Sequence, residues 1–152
     1  MTNWNHRFFN LALHVSEWSK DPRTKVGSVV VNDLKQVIGL GFNGFPRGVE
    51  DYSFRYENRD VKLLYVSHAE QNALDNCFTD PRGATLYASL FPCCHCTKSI
   101  IQRGIRHVIA PQPDPTRFGA PLHFEVSLKM MREAGILFTA IEDLNESTDH
   151  TH

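Results

Sequence analysis

Two stretches do most to limit how this 152-residue chain can fold: "YVSHAEQNAL", residues 65–74, and "LFPCCHCTKS", residues 90–99. The first sets His68 two residues ahead of Glu70 at a predicted helix start. The second sets Cys93 and Cys96 three apart at another. Residues three apart on the first turn of a helix share a side, so both sulfurs can reach one ion. Pro92 suits a place at or just outside the helix start, where its missing N–H is no loss. The positive end of the helix dipole favours thiolate over thiol. For these residues to act together, the fold must bring the two helix starts side by side.

The surrounding pattern supplies such a fold. Trp4, Phe8, Leu11, Val15 and Trp18 recur at helical spacing, and Asp21-Pro22 stops that helix. Residues 26–32, "VGSVVVN", read as a buried strand, with a turn at Asn32-Asp33 and "QVIGLGFNG" as its hairpin partner. Residues 45–62 have no clear period and form a long functional loop, with room for a short helix. Then come a helix over 68–77, the strand "TLYASLF", a helix over 93–103 and the strand "HVIA". The Pro-rich loop "PQPDPTRFGAP" leads to a helix over 122–134 and a last strand, "ILFTAIE". The tail, 145–152, is polar and frayed. This order predicts one five-stranded sheet sandwiched between helices, its first hairpin antiparallel and its later crossovers parallel.

The chain is 41% hydrophobic and 22% charged, the balance of one globular domain. No apolar run approaches the length that crosses a bilayer, and the N-terminus lacks a secretory leader, so no membrane partner and a cytoplasmic location are expected. The formal net charge is −1, and between 47 and 62 Arg47, Arg55, Arg59 and Lys62 face Glu50, Asp51, Glu57 and Asp60. That mixture shows no basic stripe, which argues against nucleic acid as partner and for a small substrate. All four cysteines lie between Cys77 and Cys96, a clustering that suits metal or catalysis rather than a disulfide scaffold.

Thiolates with an imidazole are donors that zinc takes. There is no second Cys-x-x-Cys pair, so a closed site of two cysteine pairs is not available. His68 is the best third ligand, because it begins the neighbouring helix. Three protein ligands leave a fourth position for water, as in catalytic zinc sites. Two thiolates offset the charge of the ion and acidify that water less, so a base is useful, and Glu70 stands two residues from the ligand. Plainer readings exist for each part. Ser67 and Glu70 also match a capping box, and the cysteine pair could be redox-active. Cys94 and His95 are left outside the ligand set, since adjacent residues diverge around a helix. Cys77 reads as a small buried apolar residue. His6, His14, His107 and His123 lack metal-like spacing and read as structural or surface residues.

His-x-Glu followed by Pro-Cys-x-x-Cys is the signature of zinc-dependent base deaminases. Together with "DPRTKVGSVVV", "GFNGFPRG", "GATLYASLFPCCHCTKSIIQRGI" and "MREAGI", it resembles the deoxycytidylate (dCMP) deaminase branch of the cytidine deaminase superfamily, from about Trp4 to Phe138. The resemblance implies a three-layer α/β/α sandwich, a deaminase domain over 1–144, and conversion of dCMP to dUMP with release of ammonia. It implies zinc on His68, Cys93 and Cys96, with Glu70 moving protons while water adds to C4 of the pyrimidine. Asn43 would contact the sugar, and the backbone at Ala69, Leu90, Phe91 and Pro92 would meet the base edge. The family's loop is matched by residues 41–48, with Phe42 where the family has tyrosine, and implies hexamers or dimers and the effectors dCTP and dTTP. Two further departures are Phe118 as the sole aromatic of the Pro-rich loop and His95 where an acidic residue is usual. Arg55, Arg59, Lys62 and Arg117 are the candidates for a 5′-phosphate, each against the reading of a solvated charge. Tyr65 could flank the base or sit in a core strand. The alternatives are a cytosine, cytidine or guanine deaminase, a tRNA adenosine deaminase, and a zinc-stabilised binding module without turnover.

Overall fold

The fold is that of a computed structural model, which describes residues 3–117 and 120–144 and, of 120–122, the backbone alone. The opening helix, α1, runs Trp4–Ser16, and the Asn3 side chain caps it by accepting from the His6 N–H. Phe8, Phe9, Ala12 and Val15 form its buried stripe. Trp18, expected to extend that stripe, lies past the helix end and is exposed.

Strands β1 (Gly27–Val31) and β2 (Val37–Phe42) form the expected antiparallel hairpin. Asn32 closes it, its side-chain oxygen accepting from the N–H groups of Leu34 and Gln36. Next come α2 (Ser53–Glu57), α3 (Arg59–Tyr65) and α4 (Ala69–Asp75). The remaining elements are β3 (Thr85–Ala88), α5 (Cys94–Gln102), β4 (His107–Ala110), α6 (Ala120–Glu133) and β5 (Leu137–Ala140). The strand order is β2-β1-β3-β4-β5, with β1 antiparallel to β3 and the last three strands parallel.

Alternation along the strands sends successive residues to opposite faces, and the core divides accordingly. Val30, Leu86, Ala88, Val108 and Ala110 pack with Leu74 of α4, Ile100 of α5 and Met131 of α6. Val29, Val31, Tyr87 and Ile109 pack with Phe8, Phe9 and Ala12 of α1. The result is the expected three-layer α/β/α sandwich, with one helix on one face and three on the other. No helix among the described residues is long and apolar enough to cross a membrane.

Close approach of α4 to β2 fixes where the site falls. A Cβ on Gly39 would strike the Ala73 carbonyl and the Cys77 sulfur, and one on Gly41 would strike the backbone of Asn72 and Ala73. Only glycine lets the helix lie this close to the strand. Asn72 adds a clasp, donating from its amide to the Phe42 carbonyl at 2.8 Å.

Several expectations need correction. The segment 45–62 holds α2 and the start of α3, because Asn58 caps a second short helix by accepting from the Val61 N–H. His68 is therefore preceded by a helix and a single antiparallel bridge, Gly44 to Ser67. The capping box does not form: His68 is the N-cap, and the Ser67 backbone is held by Gly44. Strand β3 ends at Ala88, and α6 starts at Ala120. Phe118 and the tail, 145–152, lie outside the described residues.

Candidate metal centre and cleft

His68 and Cys93 are both N-cap residues with extended backbone, of α4 and α5 respectively. Neither side chain caps its own helix, which leaves both to point across the junction. Cys96, in the first turn of α5, is buried. The His68 Nδ1 lies 3.5 Å from the Cys93 Sγ and 3.2 Å from the Cys96 Sγ. A tetrahedral zinc with ordinary bond lengths sets sulfur and nitrogen about 3.6 Å apart, so these donors fit one ion. Glu70 sits in the first turn of α4, 5% exposed.

The electrostatics favour a cation. The Cys96 thiol hydrogen-bonds to Cys93, and the His68 ring reinforces it, holding the Cys93 thiol far below the usual range against the effect of burial. Cys96 is pushed up, because it gives its proton to Cys93 and is buried beside Glu70. The pair thus releases one proton easily and keeps the second, and a divalent ion would displace it. The hydrogen bond from Cys93 raises His68. Burial raises the Glu70 carboxyl, opposed by its backbone N–H and by His68. A carboxylate so placed can both take and give a proton near neutral pH.

These groups open into a cleft of about 520 Å³, within the range of small-molecule sites. Ala69, Glu70, His68, Leu90, Phe91 and Cys93 line it, as does Asn43. The Asn43 amide accepts from the Val26 N–H and donates to the Thr24 carbonyl, both at 2.8 Å, so it also holds the cleft wall together. Pro92 is buried and does not line the cleft.

The candidate cations separate. Arg59 and Arg117 line the cleft. Lys62 lines it too, but its ammonium is 3.0 Å from the Asp21 carboxylate, and both side chains are almost fully buried. Arg55 stands apart from the cleft wall, its guanidinium stacked over Tyr65 at 4.4 Å and donating to the Glu50 carbonyl. Tyr65 packs on Phe45 at the end of α3 and also stays outside the lining. It belongs to a helix, not a core strand.

Sequence reasoning missed part of the wall. Asp21, Thr24, His95, His123 and Phe124 all line the cleft. In the sequence Asp21 marks only a helix stop, and His123 reads as a structural or surface residue. No local spacing marks either residue, since each reaches the cleft through the tertiary fold.

A His-x-Glu pair set against Pro-Cys-x-x-Cys across two helix starts, on a mixed sheet, defines a zinc-dependent base deaminase. The profile described as "Cytidine and deoxycytidylate deaminase zinc-binding region" matches residues 2–111, and the chain belongs to that family. Zinc is its cofactor. The chain is 37% identical over 142 residues to the deaminase in the luxG 3′ region of Aliivibrio fischeri, covering 91% of this chain and 94% of that protein. It is 42% identical over 112 residues to human deoxycytidylate deaminase, covering 70% of this chain and 63% of the human protein. It thus spans less than two thirds of that relative. The crystal structure of the cyanophage S-TIM5 dCMP deaminase has the same fold, with a TM-score of 0.71 at 24% identity over 90% of this chain and 96% of that one.

Proposed function

We propose that the chain converts dCMP and water to dUMP and ammonia, with zinc held by His68, Cys93 and Cys96 and Glu70 as the proton carrier. The observation that carries this reading is the buried Glu70 carboxyl beside the three-donor centre at the base of the cleft. When bound, zinc supplies Lewis acidity that favours loss of a proton from water. Glu70 accepts that proton and delivers it to N3 of the pyrimidine as water adds at C4. It then carries a second proton to the amino group, the C4–N bond breaks, and ammonia leaves. Ala69, Leu90 and Phe91 would frame the base, and Asn43 the sugar. Arg59 and Arg117 give the cleft two guanidinium groups, which favours a phosphorylated substrate over a free base or nucleoside. The human relative at 42% identity is a deoxycytidylate deaminase, which supports the same choice.

The same proposal places the chain in the cytoplasm, as a domain over 1–144 that self-associates as a dimer or hexamer and takes dCTP and dTTP as effectors. The 41–48 loop supports the effector part.

The test is a panel of dCMP, CMP, deoxycytidine, cytidine, cytosine, dCTP and guanine, followed by ultraviolet absorbance and ammonia release. The expected result is turnover of dCMP above all others. Equal turnover of deoxycytidine would remove the phosphate from the account, and no loss of amine from any pyrimidine would end it.

A further inference from the structure

The run "PCCHC" carries two donors that the catalytic centre leaves unused, Cys94 and His95. They begin α5, which packs against α6. His123 of α6 meets them there, with its Nδ1 3.1 Å from the Cys94 Sγ. The rings of His95 and His123 lie with centroids 5.9 Å apart. One donor atom from each of the three falls within 4.8 Å of the other two. The start of α5 thus serves two clusters, 93 and 96 with His68 of α4, and 94 and 95 with His123 of α6.

We propose that Cys94, His95 and His123 form a second metal site, for a zinc-class divalent ion. A sulfur and two imidazole nitrogens are a borderline-soft set suited to zinc or its first-row neighbours, and unsuited to magnesium or calcium. In a tetrahedral zinc site sulfur and nitrogen stand about 3.6 Å apart and two nitrogens about 3.3 Å, so small side-chain turns close these three donors around one ion. All three are at least partly accessible, and His95 and His123 line the cleft, which gives the ion a route in. The fourth position would take water from the cleft. A bound ion would also tie α6 to the start of α5 more firmly than the Cys94–His123 contact alone does. The site does not depend on the substrate chosen above.

The test counts metal on the full chain, stripped with a chelator, kept reduced, and titrated with zinc. Non-denaturing mass spectrometry should show two ions per chain in the wild type and one in Cys94→Ser and in His123→Ala. His68→Ala should also keep one, which separates this site from the catalytic centre. Cobalt titration gives a second readout, because a thiolate-to-cobalt absorption from three sulfurs should fall to that from two in Cys94→Ser. Circular dichroism confirms folding, and the near-isosteric serine variant carries the test alone if His123→Ala does not fold. One ion in the wild type at saturating zinc overturns the proposal. So do two ions in the wild type that persist in both variants, which would put the second elsewhere, for instance on His150 and His152.

Discussion

Glu70 shows how a position within one helical turn sets chemistry. It lies two residues beyond His68, buried in the first turn of α4, where loss of solvent raises its proton affinity. Glu70→Gln keeps the shape and removes the proton exchange. The expected outcome is a fall in dCMP turnover of about 10²–10⁴-fold or more with one catalytic zinc still bound, checked by absorbance and metal analysis. Asp21 tells a different story. Burial alone would raise its carboxyl, but the Arg23 N–H, the Lys62 ammonium and the Thr24 N–H together hold it below the ordinary carboxylate range. A carboxyl lowered in the folded state stabilises above its unfolded pKa, and that stability is lost as pH falls through the folded value. Asp21→Asn leaves the Lys62 ammonium buried without its carboxylate and should cost about 3 kcal/mol near neutral pH. Thermal unfolding should show the variant and the wild type converging as acid protonates Asp21. At this scale the metal donors and Glu70 were legible because their spacing carries chemistry. Asp21 and His123 were not, because each acquires its role from a partner 41 and 29 residues away, Lys62 and Cys94.

Helix α4 is short, and its placement depends less on its own sequence than on the strand beneath it. Gly39 and Gly41 of β2 allow its backbone to approach the sheet, and the Asn72 clasp keeps it there. Gly41→Val would force a shift of α4 and with it the His68 ring. The expected cost is about 1–3 kcal/mol, with faster loss of zinc to a competing chelator than from the wild type. The strand pattern and the hairpin were readable from β-branched runs around a turn. The helices α2 and α3 were not, since their charged and aromatic residues show no period, and Asn58 is the local signal that marks the second. Ser67 and Glu70 have the spacing of a capping box, yet the bridge to Gly44 claims the Ser67 backbone and passes the N-cap to His68. A cap motif and a ligand motif coincide there, and tertiary pairing decides between them.

At the scale of the molecule, the two helix starts meet because α4 and α5 lie on the same face of the sheet. The centre sits just beyond the carboxyl end of β3, the usual location for ligands in open α/β sheets. The alternation of elements made this layout readable in outline. The cleft wall was less readable, because it draws on the 21–26 loop, α3, α4, the 90–95 turn and α6 at once. Tyr52, Phe54, Leu63 and Leu64 of the α2–α3 region remain exposed in the single chain, Leu64 at 87%. Apolar exposure of this kind suits association between copies. Sedimentation should give a multiple of the chain mass, and addition of dCTP or dTTP should change either that mass or the response to dCMP. A monomer indifferent to both nucleotides would set aside the assembly and effector proposals together.

The glycines of β2 have one more consequence. Where main chain rests on main chain there is no soft layer of side chains to absorb a displacement, so the helix bearing His68 and the strand under it must move as one body. Occupancy at the metal should then be felt as stiffness in the outermost strand. Amide hydrogens of residues 38–41 should exchange more slowly once zinc is added, while those of β5, at the opposite edge, keep their rate. Equal slowing at both edges would mean the two are not mechanically joined in this way.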